Sequence, residues 1–427
     1  MIQVFKEPAK KDWPSILARP QFDAAPLEVK VREILLAVKQ RGDAAVKEYT
    51  LAFDKVAVSN FKLSAEKIEA AEKALTPSLK TAIQLAKVNI EVFHQGQIQK
   101  EERIETMPGV WCWRKSVGIE KVGIYIPGGS APLFSTVLML GIPAQLAGCK
   151  EIILCTPPSK DGSVHPAILY AASVVGITQI FKIGGVQAIA AMAYGTETVP
   201  QVYKIFGPGN QYVTAAKQLV QQNGVAIDMP AGPSEVCVLA DETCNPDFVA
   251  SDLLSQAEHG PDSQVLLVST SSKVVDQINE ALVSQLAVLP RKEIAQQALE
   301  NSKAVVVDSM EQAIFIVNSY AAEHLILACD NDEVVSEKIT NAGSVFLGNY
   351  SSESVGDYAS GTNHTLPTSG YARAYSGVSV DSFVKKITYQ KLTPAGLQAI
   401  GAAVETMAAA EGLEAHKNAI TIRLQSL

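Results

Sequence analysis

The chain has 427 residues, 47% of them hydrophobic and 6% aromatic, and its formal net charge is −8. This length is sufficient for two or more domains with sizeable cores, and the composition is typical of a soluble α/β enzyme. The negative charge and the lack of a basic stretch argue against nucleic acid as a partner. No apolar run approaches the roughly 18–20 residues of a membrane span, and the N-terminus lacks an apolar core of signal-peptide length. We therefore expect a cytoplasmic protein that does not enter membranes.

The first predicted elements are helices, between about residues 26 and 98. Apolar residues recur there at helical spacing, and one face would carry Leu27, Val31, Ile34, Leu35 and Val38. From about 123 to 229, short apolar runs alternate with helix-like stretches of ten or more residues. These runs are 123–126, 152–155, 179–182 and 203–206. The alternation predicts βαβ units and a parallel sheet.

A second series of apolar runs follows, again separated by helical patterns. Its members are 236–240, 264–268, 304–307, 324–327 and 344–347. The fold class is therefore α/β, with two Rossmann-like parallel-sheet domains, N-terminal helices and a helical C-terminal tail. We expect strands to stop after about residue 380, and an Ala-rich helix over 397–413 to pack on the body of the chain or on another subunit.

These patterns predict the following division of the chain. An arm over 1–23 would precede a discontinuous α/β domain formed by 24–122 and 236–378, a second α/β domain over 123–235, and a tail over 379–427. The six cysteines show no CxxC spacing, and several lie in apolar runs, so we expect buried free thiols rather than disulfides.

Four of the six histidines lie in polar, glycine-containing segments that are typical of a site. The segments are 255–263 (SQAEHGPDS), 323–324 (EH), 356–364 (GDYASGTNH) and 411–418 (EGLEAHKN). Gln256 and His259 are three residues apart, which on a helix ending at Gly260-Pro261 places both on one face as potential metal ligands. Polar capping of the helix end is the alternative. With Asp357 and one more histidine, the set would be a mixed nitrogen and oxygen shell suited to zinc.

Whether the side chains of the other two segments can act at one site depends on the structure around them. Glu323 and His324 are adjacent, so in a regular strand they would face opposite sides. If both act in proton transfer, they lie where the chain enters or leaves an element, and the edge of a parallel sheet suits them. Glu411 and His416 are five apart, about 140° around an ideal helix, so a continuous helix would not direct both at one point unless Gly412 ends or bends it. Capping of the tail helix is an equal alternative for His416.

Glycine-rich turns follow three of the apolar runs, at 127–130 (PGGS), 184–185 (GG) and 207–210 (GPGN). Such turns let the phosphates of a dinucleotide approach backbone amides. None of the three is a complete GxGxxG motif. The turn at 207–210 begins like one, but Tyr212 stands where its last glycine would be. From the glycines alone, NAD is one hypothesis among several, and ordinary strand-to-helix turns are a strong alternative.

Taken together, these segments resemble the histidinol dehydrogenase family along nearly the whole chain. The motifs that carry the resemblance are 125–132 (YIPGGSAP), 207–210 (GPGN), 228–235 (DMPAGPSE), 255–263, 323–325 (EHL) and 356–367 (GDYASGTNHTLP). One departure is visible: Ala322 stands where such enzymes often have proline, which would only stiffen the entry to the segment.

The resemblance implies oxidation of L-histidinol to L-histidine through bound L-histidinal, in two NAD-dependent steps with one zinc ion per subunit. It places the zinc ligands on Gln256, His259, Asp357 and His416, and the catalytic residues on Glu323 and His324. Besides the metal ligands, substrate contacts would fall on Ser234, His324, His364 and Glu411. The NAD contacts would fall on Tyr125, Gln187 and Asn210. Family members are homodimers with intertwined tails, so His416 would reach the partner's site.

Two other functions stay open at this point. One is a related NAD-dependent alcohol dehydrogenase on the same scaffold with another substrate, such as a sulfonated diol, against which His364 and Glu411 argue. The other is a zinc hydrolase, because a glutamate beside a zinc-bound water suits hydrolysis and no dinucleotide fingerprint excludes it. A non-catalytic binding protein would have no need of an acid–base pair beside a metal.

Overall fold

The computed structural model describes residues 2–19, 25–128 and 131–427, so parts of the predicted arm and of the turn at 127–130 lie outside it. The strands, in chain order, are β1 (Gln3–Lys6), β2 (Arg103–Met107), β3 (Val110–Gly118), β4 (Lys121–Tyr125), β5 (Glu151–Thr156), β6 (Gln179–Lys182), β7 (Lys204–Phe206), β8 (Ala226–Ile227), β9 (Glu235–Ala240), β10 (Gln264–Ser269), β11 (Lys303–Val306), β12 (His324–Ala328), β13 (Ser344–Leu347) and β14 (Val384–Leu392). In the described part of the chain they form three sheets.

The helices alternate with these strands. In chain order they are α1 (Trp13–Ile16), α2 (Ala25–Arg41), α3 (Asp43–Asp54), α4 (Ala65–Lys73), α5 (Pro77–Gln95), α6 (Phe134–Leu146), α7 (Pro166–Val174), α8 (Gly185–Tyr194), α9 (Gln211–Gln221), α10 (Pro246–Ala257), α11 (Ser272–Val288), α12 (Lys292–Glu300), α13 (Met310–Tyr320), α14 (Asp332–Ser336), α15 (Glu353–Tyr358), α16 (Pro394–Ala410) and α17 (Glu414–Gln425). Three long helices begin with a Thr or Asn whose side chain accepts a backbone N–H, followed by proline: Thr76-Pro77, Asn245-Pro246 and Thr393-Pro394. This pairing satisfies a free donor and presets the first turn.

A five-stranded parallel sheet contains the first predicted series, in the order β6-β5-β4-β7-β8. The strand order reverses between β4 and β7, which creates the crevice where ligands commonly bind in open α/β sheets. Helices cover both faces, and the strands are correspondingly apolar on both sides.

The six-stranded sheet is also entirely parallel, in the order β1-β11-β10-β9-β12-β13. Its last five strands are the second predicted series, so two parallel sheets are confirmed. Strand β1 was not predicted. Its four residues pair with Lys303–Val306 at the sheet edge, and so short a segment becomes a strand only through that pairing.

The N-terminal helices pack on the five-stranded sheet. Val31, Ile34, Leu35 and Val38 of α2 are buried as predicted, in one core with residues of β5, β6 and β7. Helices α4 and α5 join the core on the opposite face. The expected division grouped 24–122 with the second sheet, and this packing differs from it, because helical periodicity identifies a buried face but not the surface that covers it.

A three-stranded antiparallel sheet, in the order β14-β3-β2, was not predicted either. The expectation that strands stop after about residue 380 is wrong, since Val384–Leu392 pairs with Val110–Gly118 along its whole length. Strand β14 is largely exposed and carries three lysines, so no apolar run marks it, and most of β3 is half-buried. Trp113 and Tyr389 stack across the ladder instead.

The tail after β14 is a pair of helices, α16 and α17, packed so closely that a Cβ on Gly401 would lie 2.7 Å from Leu424. Only Gly396, Gly401 and Ala408 of α16 are buried, and α17 buries none of its residues. Met407 and Ile422 are 66% and 57% exposed. The tail therefore lacks a core of its own, as predicted. None of the helices in the described ranges combines the length and hydropathy that a membrane crossing requires.

The six cysteines are free thiols, and five of them are buried, as the sequence predicted. Cys112 is half-buried on β3. The buried thiols of Cys155 and Cys237 lie inside β5 and β9, where they pack as small apolar side chains.

Candidate active site

The adjacent acid and base lie where the chain enters the six-stranded sheet. His324 is the first residue of β12, and Glu323 immediately precedes it, after α13 has ended at Ala321 in the left-handed conformation (φ 54°). Both residues are buried, Glu323 at 6% and His324 at 4% exposure. The prediction that the pair lies at the entry to an element is confirmed. The entry is the amino end of an interior strand between β9 and β13, not the carboxyl end at which α/β ligands more often bind.

The backbone of Glu235 holds both side chains in place. Its N–H donates to Oε2 of Glu323 at 2.9 Å, and its carbonyl oxygen lies 3.2 Å from Nδ1 of His324. The hydrogen bond at Nδ1 leaves Nε2 of His324 as the nitrogen without a hydrogen-bond partner. Nε2 is therefore the atom available to exchange a proton with a substrate.

Three carboxylates surround the His324 ring. Nδ1 lies 3.7 Å from Glu323 and 3.7 Å from Glu353, and Nε2 lies 3.4 Å from Oδ1 of Asp357. Burial opposes a charged ring, but these carboxylates outweigh it and hold the pKa of His324 well above its usual value. Burial raises the pKa of Glu323 and of Glu353 to about 8. Burial alone would also raise the pKa of Asp357, but the neighbouring His324 keeps it below its usual value.

Two of these carboxylates, Glu353 and Asp357, belong to a group with metal-ligand chemistry. In the described part of the chain, ligand atoms of His259, Glu353 and Asp357 lie within 4.8 Å of one another. Gln256 is fully buried, and neither its amide oxygen nor its amide nitrogen has a hydrogen-bond partner. Buried amides are almost always hydrogen-bonded, so both the orphaned amide and the carboxylate–imidazole set fit a bound divalent cation.

Gln256 and His259 come from the end of α10, but not from one helical turn as predicted. The helix ends at Ala257, and His259 follows in a turn whose N–H donates to the carbonyl of Gln256 at 3.2 Å. Gly260-Pro261 cannot continue the helix, and the helix ends at Ala257, two residues earlier than the spacing argument assumed.

His364 connects the site to the other sheet. One ring nitrogen, Nδ1, donates to the backbone oxygen of Asp357 at 2.8 Å, and Nε2 accepts from Oγ1 of Thr136 at 3.0 Å. Burial lowers the pKa of His364 and so favours the neutral ring that this arrangement needs. Thr136 lies in the first turn of α6, which follows β4, so the site lies at the junction of the two parallel sheets. Ser234 is half-buried and directly precedes β9.

Glu411 and His416 lie on the tail, and both are exposed. The tail helix ends at Ala410, and Gly412 adopts a left-handed conformation (φ 71°) before α17 begins, so the predicted break between the two residues is confirmed. Within the described residues of this one chain, His416 is not part of the group formed by His259, Glu353 and Asp357.

The three residues implied in NAD binding lie at the carboxyl ends of the five-stranded sheet. Tyr125 ends β4, and its hydroxyl accepts the N–H of Gly185 at 3.0 Å. Gln187 in α8 is 1% exposed, and neither end of its amide has a partner. Asn210 caps α9 by accepting N–H groups from Tyr212 and Val213, both at 3.1 Å.

Three further residues of the site were not predicted. Glu353 is 2% exposed and stands four residues before Asp357, so helical spacing on α15 could have pointed to it. Asp252 is buried near Glu353, and burial raises its pKa to about 7. Thr136, the partner of His364, lies in an apolar helix and offers no signal in the sequence.

Comparison with known proteins gives one consistent family. The family model described as histidinol dehydrogenase matches residues 17–424. The chain is 60% identical over 427 residues to a histidinol dehydrogenase of Bacteroides thetaiotaomicron, with all of both chains covered, and 58% identical over 426 residues to one of Bacteroides fragilis, again with full coverage. A crystal structure of histidinol dehydrogenase from Elizabethkingia anophelis matches with a TM-score of 0.98 and 57% identity, covering 100% of this chain and 98% of that one. The chain therefore belongs to the histidinol dehydrogenase family.

Proposed function

We propose that this chain oxidises L-histidinol to L-histidine through enzyme-held L-histidinal, in two NAD-dependent steps with zinc as the bound metal. The observation that carries the proposal is the buried pair Glu323 and His324, held by the backbone of Glu235 beside the group that contains His259 and Asp357. The named activity of the relatives supplies the substrate class.

The residues that would hold zinc are Gln256, His259 and Asp357, together with His416 of a second subunit. The amide of Gln256 supports this assignment, because it is buried without a hydrogen-bond partner and a bound metal ion would satisfy its oxygen. Bound zinc would provide an electrophilic contact for the imidazole and amine nitrogens of histidinol, so that its main task is orientation. Glu353 belongs to the same group of donors, and we assign it to the ring of His324, 3.7 Å away.

The chain's own residues perform the proton transfers. In the first step Nε2 of His324, in the neutral form of the ring, takes the proton of the alcohol while the carbon loses hydride. The carboxylates that hold the pKa of His324 above its usual value stabilise the imidazolium that forms. NAD would supply the hydride acceptor in both steps. The resulting aldehyde must add water before a second hydride can leave. Glu323 activates that water by accepting its proton, while His324 returns its own proton to the aldehyde oxygen and so becomes neutral again. His324 then takes the hydroxyl proton of the hydrate. The second loss of hydride gives the carboxylic acid.

The remaining assigned residues bind the substrate and complete the site. Ser234 and His364 lie near the entry to β9 and beside Asp357, where they can contact the amino alcohol. Glu411 and His416 are exposed on a tail that has apolar residues on its surface, which supports a homodimer whose tails are exchanged. In that arrangement each active site takes residues from both subunits.

The deciding experiment follows NADH absorbance with purified protein, L-histidinol and NAD. The proposal expects two NADH for each histidinol consumed, loss of the reaction after chelation, and recovery on adding zinc. Metal-free protein with undiminished activity would exclude the metal assignment. Activity on a sulfonated diol but not on histidinol would favour a related alcohol dehydrogenase, and NAD-independent cleavage of a substrate would favour a zinc hydrolase.

A further inference from the structure

A cleft of about 550 Å³ opens at the carboxyl ends of β4 and β5. Pro127 and Gly128 line it after β4, the segment 156–160 lines it after β5, and His165 and Ile168 line it from the start of α7. A Cβ on Gly128 would lie 2.3 Å from Cγ of Pro157, so the two turns approach too closely for a side chain. Glycine at position 128 is therefore required by the packing of the two turns that line the cleft.

One wall of the cleft comes from outside the five-stranded unit. Asp54, the last residue of α3, reaches the cleft from the N-terminal helices. Its Oδ2 is buried and has no hydrogen-bond partner, and no ion pair of the described residues involves it. The position is also unfavourable locally, since the carboxyl end of a helix repels negative charge.

The free carboxylate lies close to a residue already implied in cofactor binding. Burial, with the negative charge of Asp54 adding to it, raises the pKa of Tyr125 to about 12. Tyr125 ends β4, and Pro127 and Gly128, two and three residues later, line the cleft together with Asp54. A buried carboxylate without a donor is costly, and a ligand that brings hydroxyl donors would remove that cost.

Dinucleotide-binding sheets commonly have an acid near the end of the strand that follows the glycine turn, where it accepts both hydroxyls of the adenosine ribose. Here that strand is β5, which ends at Thr156 and is followed by Pro157-Pro158, so no acid stands at its end.

We propose that Asp54 takes this role: its carboxylate accepts hydrogen bonds from the 2′ and 3′ hydroxyls of the adenosine ribose and thereby selects NAD over NADP. The inference rests on the proposed NAD dependence and adds the residue that determines cofactor choice.

The selectivity follows from charge and hydrogen bonding. Replacing the 2′ hydroxyl by a phosphate removes a donor to Asp54 and places two like charges in contact. Lys160 also lines the cleft and would attract a 2′-phosphate, so the two residues act in opposite directions. The unpartnered, partly buried acid outweighs an exposed lysine, whose interaction with a phosphate is screened by solvent.

The test measures binding to the intact protein by calorimetry. Its ligands are ADP-ribose, 2′-deoxy-ADP-ribose and ADP-ribose 2′-phosphate. Asp54→Asn keeps the shape of the side chain and removes its charge. Glu48→Gln is the matched control, because Glu48 lies on the same helix but pairs with Arg41 at the surface, at 2.7 Å. Thermal unfolding checks that both variants fold.

The wild-type protein and Glu48→Gln should bind ADP-ribose at least roughly tenfold more tightly than either modified ligand, as expected for hydrogen bonds to a charged group. Asp54→Asn should lose most of that difference. Equal ADP-ribose affinity in wild type and Asp54→Asn, or tighter binding of the 2′-phosphate by wild type, would overturn the proposal. The deoxy ligand tests the same contact in unmodified protein, so the result stands even if Asp54→Asn does not fold. Formation of NADH from histidinol is measured separately, and its absence would instead refute the proposed function.

Discussion

The backbone N–H of Glu235 donates a hydrogen bond of 2.9 Å to the side-chain Oε2 of Glu323. The carbonyl of the same residue lies 3.2 Å from Nδ1 of His324. A single residue at the start of β9 therefore orients both predicted catalytic groups. Because this support is backbone, substitutions of either side chain can be made without removing what holds the other.

The first prediction concerns the division of work between the two groups. Glu323→Gln retains an oxygen that can accept the Glu235 N–H but cannot take a proton from water, so it should slow histidinal oxidation far more than histidinol oxidation. His324→Asn should impair both, by roughly 10²–10⁴-fold, the usual contribution of a general base. Single-turnover rates with each substrate separate the two cases. Small and equal effects of both changes on both reactions would contradict the assigned roles.

The second prediction concerns a shared active site. His416→Ala and His259→Ala proteins should each be inactive as homodimers. In a heterodimer of the two, one site collects both defects and the other collects neither, so activity should return toward half of the wild-type value. The chains must be co-expressed with different tags, because complementation requires one of each. Inactive purified heterodimers would place His416 in its own subunit's site or remove it from the ligand set.

The third prediction concerns the ion pair behind the site. The guanidinium of Arg19 binds the carboxylate of Glu235 through two contacts, one of them Nη2 to Oε2 at 2.8 Å, and donates to the carbonyl of Tyr320 at 2.9 Å. Glu235 is 1% exposed, so Arg19→Met would leave a buried charge unpaired and should destabilise the protein by about 3–5 kcal/mol. Histidinol oxidation should fall as well, because Glu235 orients Glu323 and His324.

Arg41→Met is the control for this change, since Arg41 pairs with Glu48 in solvent and such pairs contribute little. Denaturant unfolding of both variants checks the prediction. Equal stability losses for Arg19→Met and Arg41→Met would show that the buried pair has no special role.

The fourth prediction concerns pH and cofactor binding. Burial raises the pKa of Asp54 to about 6. Ribose hydroxyls donate to the charged carboxylate, so binding favours its deprotonated form, and ADP-ribose affinity should fall as pH is lowered through about 6. Lys160, His165 and Tyr125 face the same region, and Asp54→Asn retains all three. Calorimetric titrations from pH 5 to 8 should show the fall in wild type and lose its Asp54 component in the variant. Identical profiles would contradict this prediction.

Much of the fold was predictable because buried strands appear in the sequence as short apolar runs. Strands β4–β7 and β9–β13 have apolar residues on both faces, and the resulting short runs predicted two parallel sheets. The antiparallel pair of β3 and β14 was not predictable in this way, because β14 has no apolar run. Its lysines and its threonine are as compatible with a loop as with the solvent side of a strand. The helical face of Val31 and Val38 was visible, but which sheet it covers was not.

The sequence by itself determined the residue types of the site, the break at Gly412 and the position of Glu323 and His324 at an element boundary. Only the tertiary structure placed His259, in the turn after α10, beside Glu353 and Asp357 from α15. It also joined His364 to Thr136 and brought Asp54 to a cleft whose other residues lie more than sixty positions further along the chain. Periodicity is set by neighbours within a few residues, whereas these approaches depend on how whole elements pack against one another. Chemistry can therefore be recognised along the chain, but the distances between its groups are decided by long-range packing.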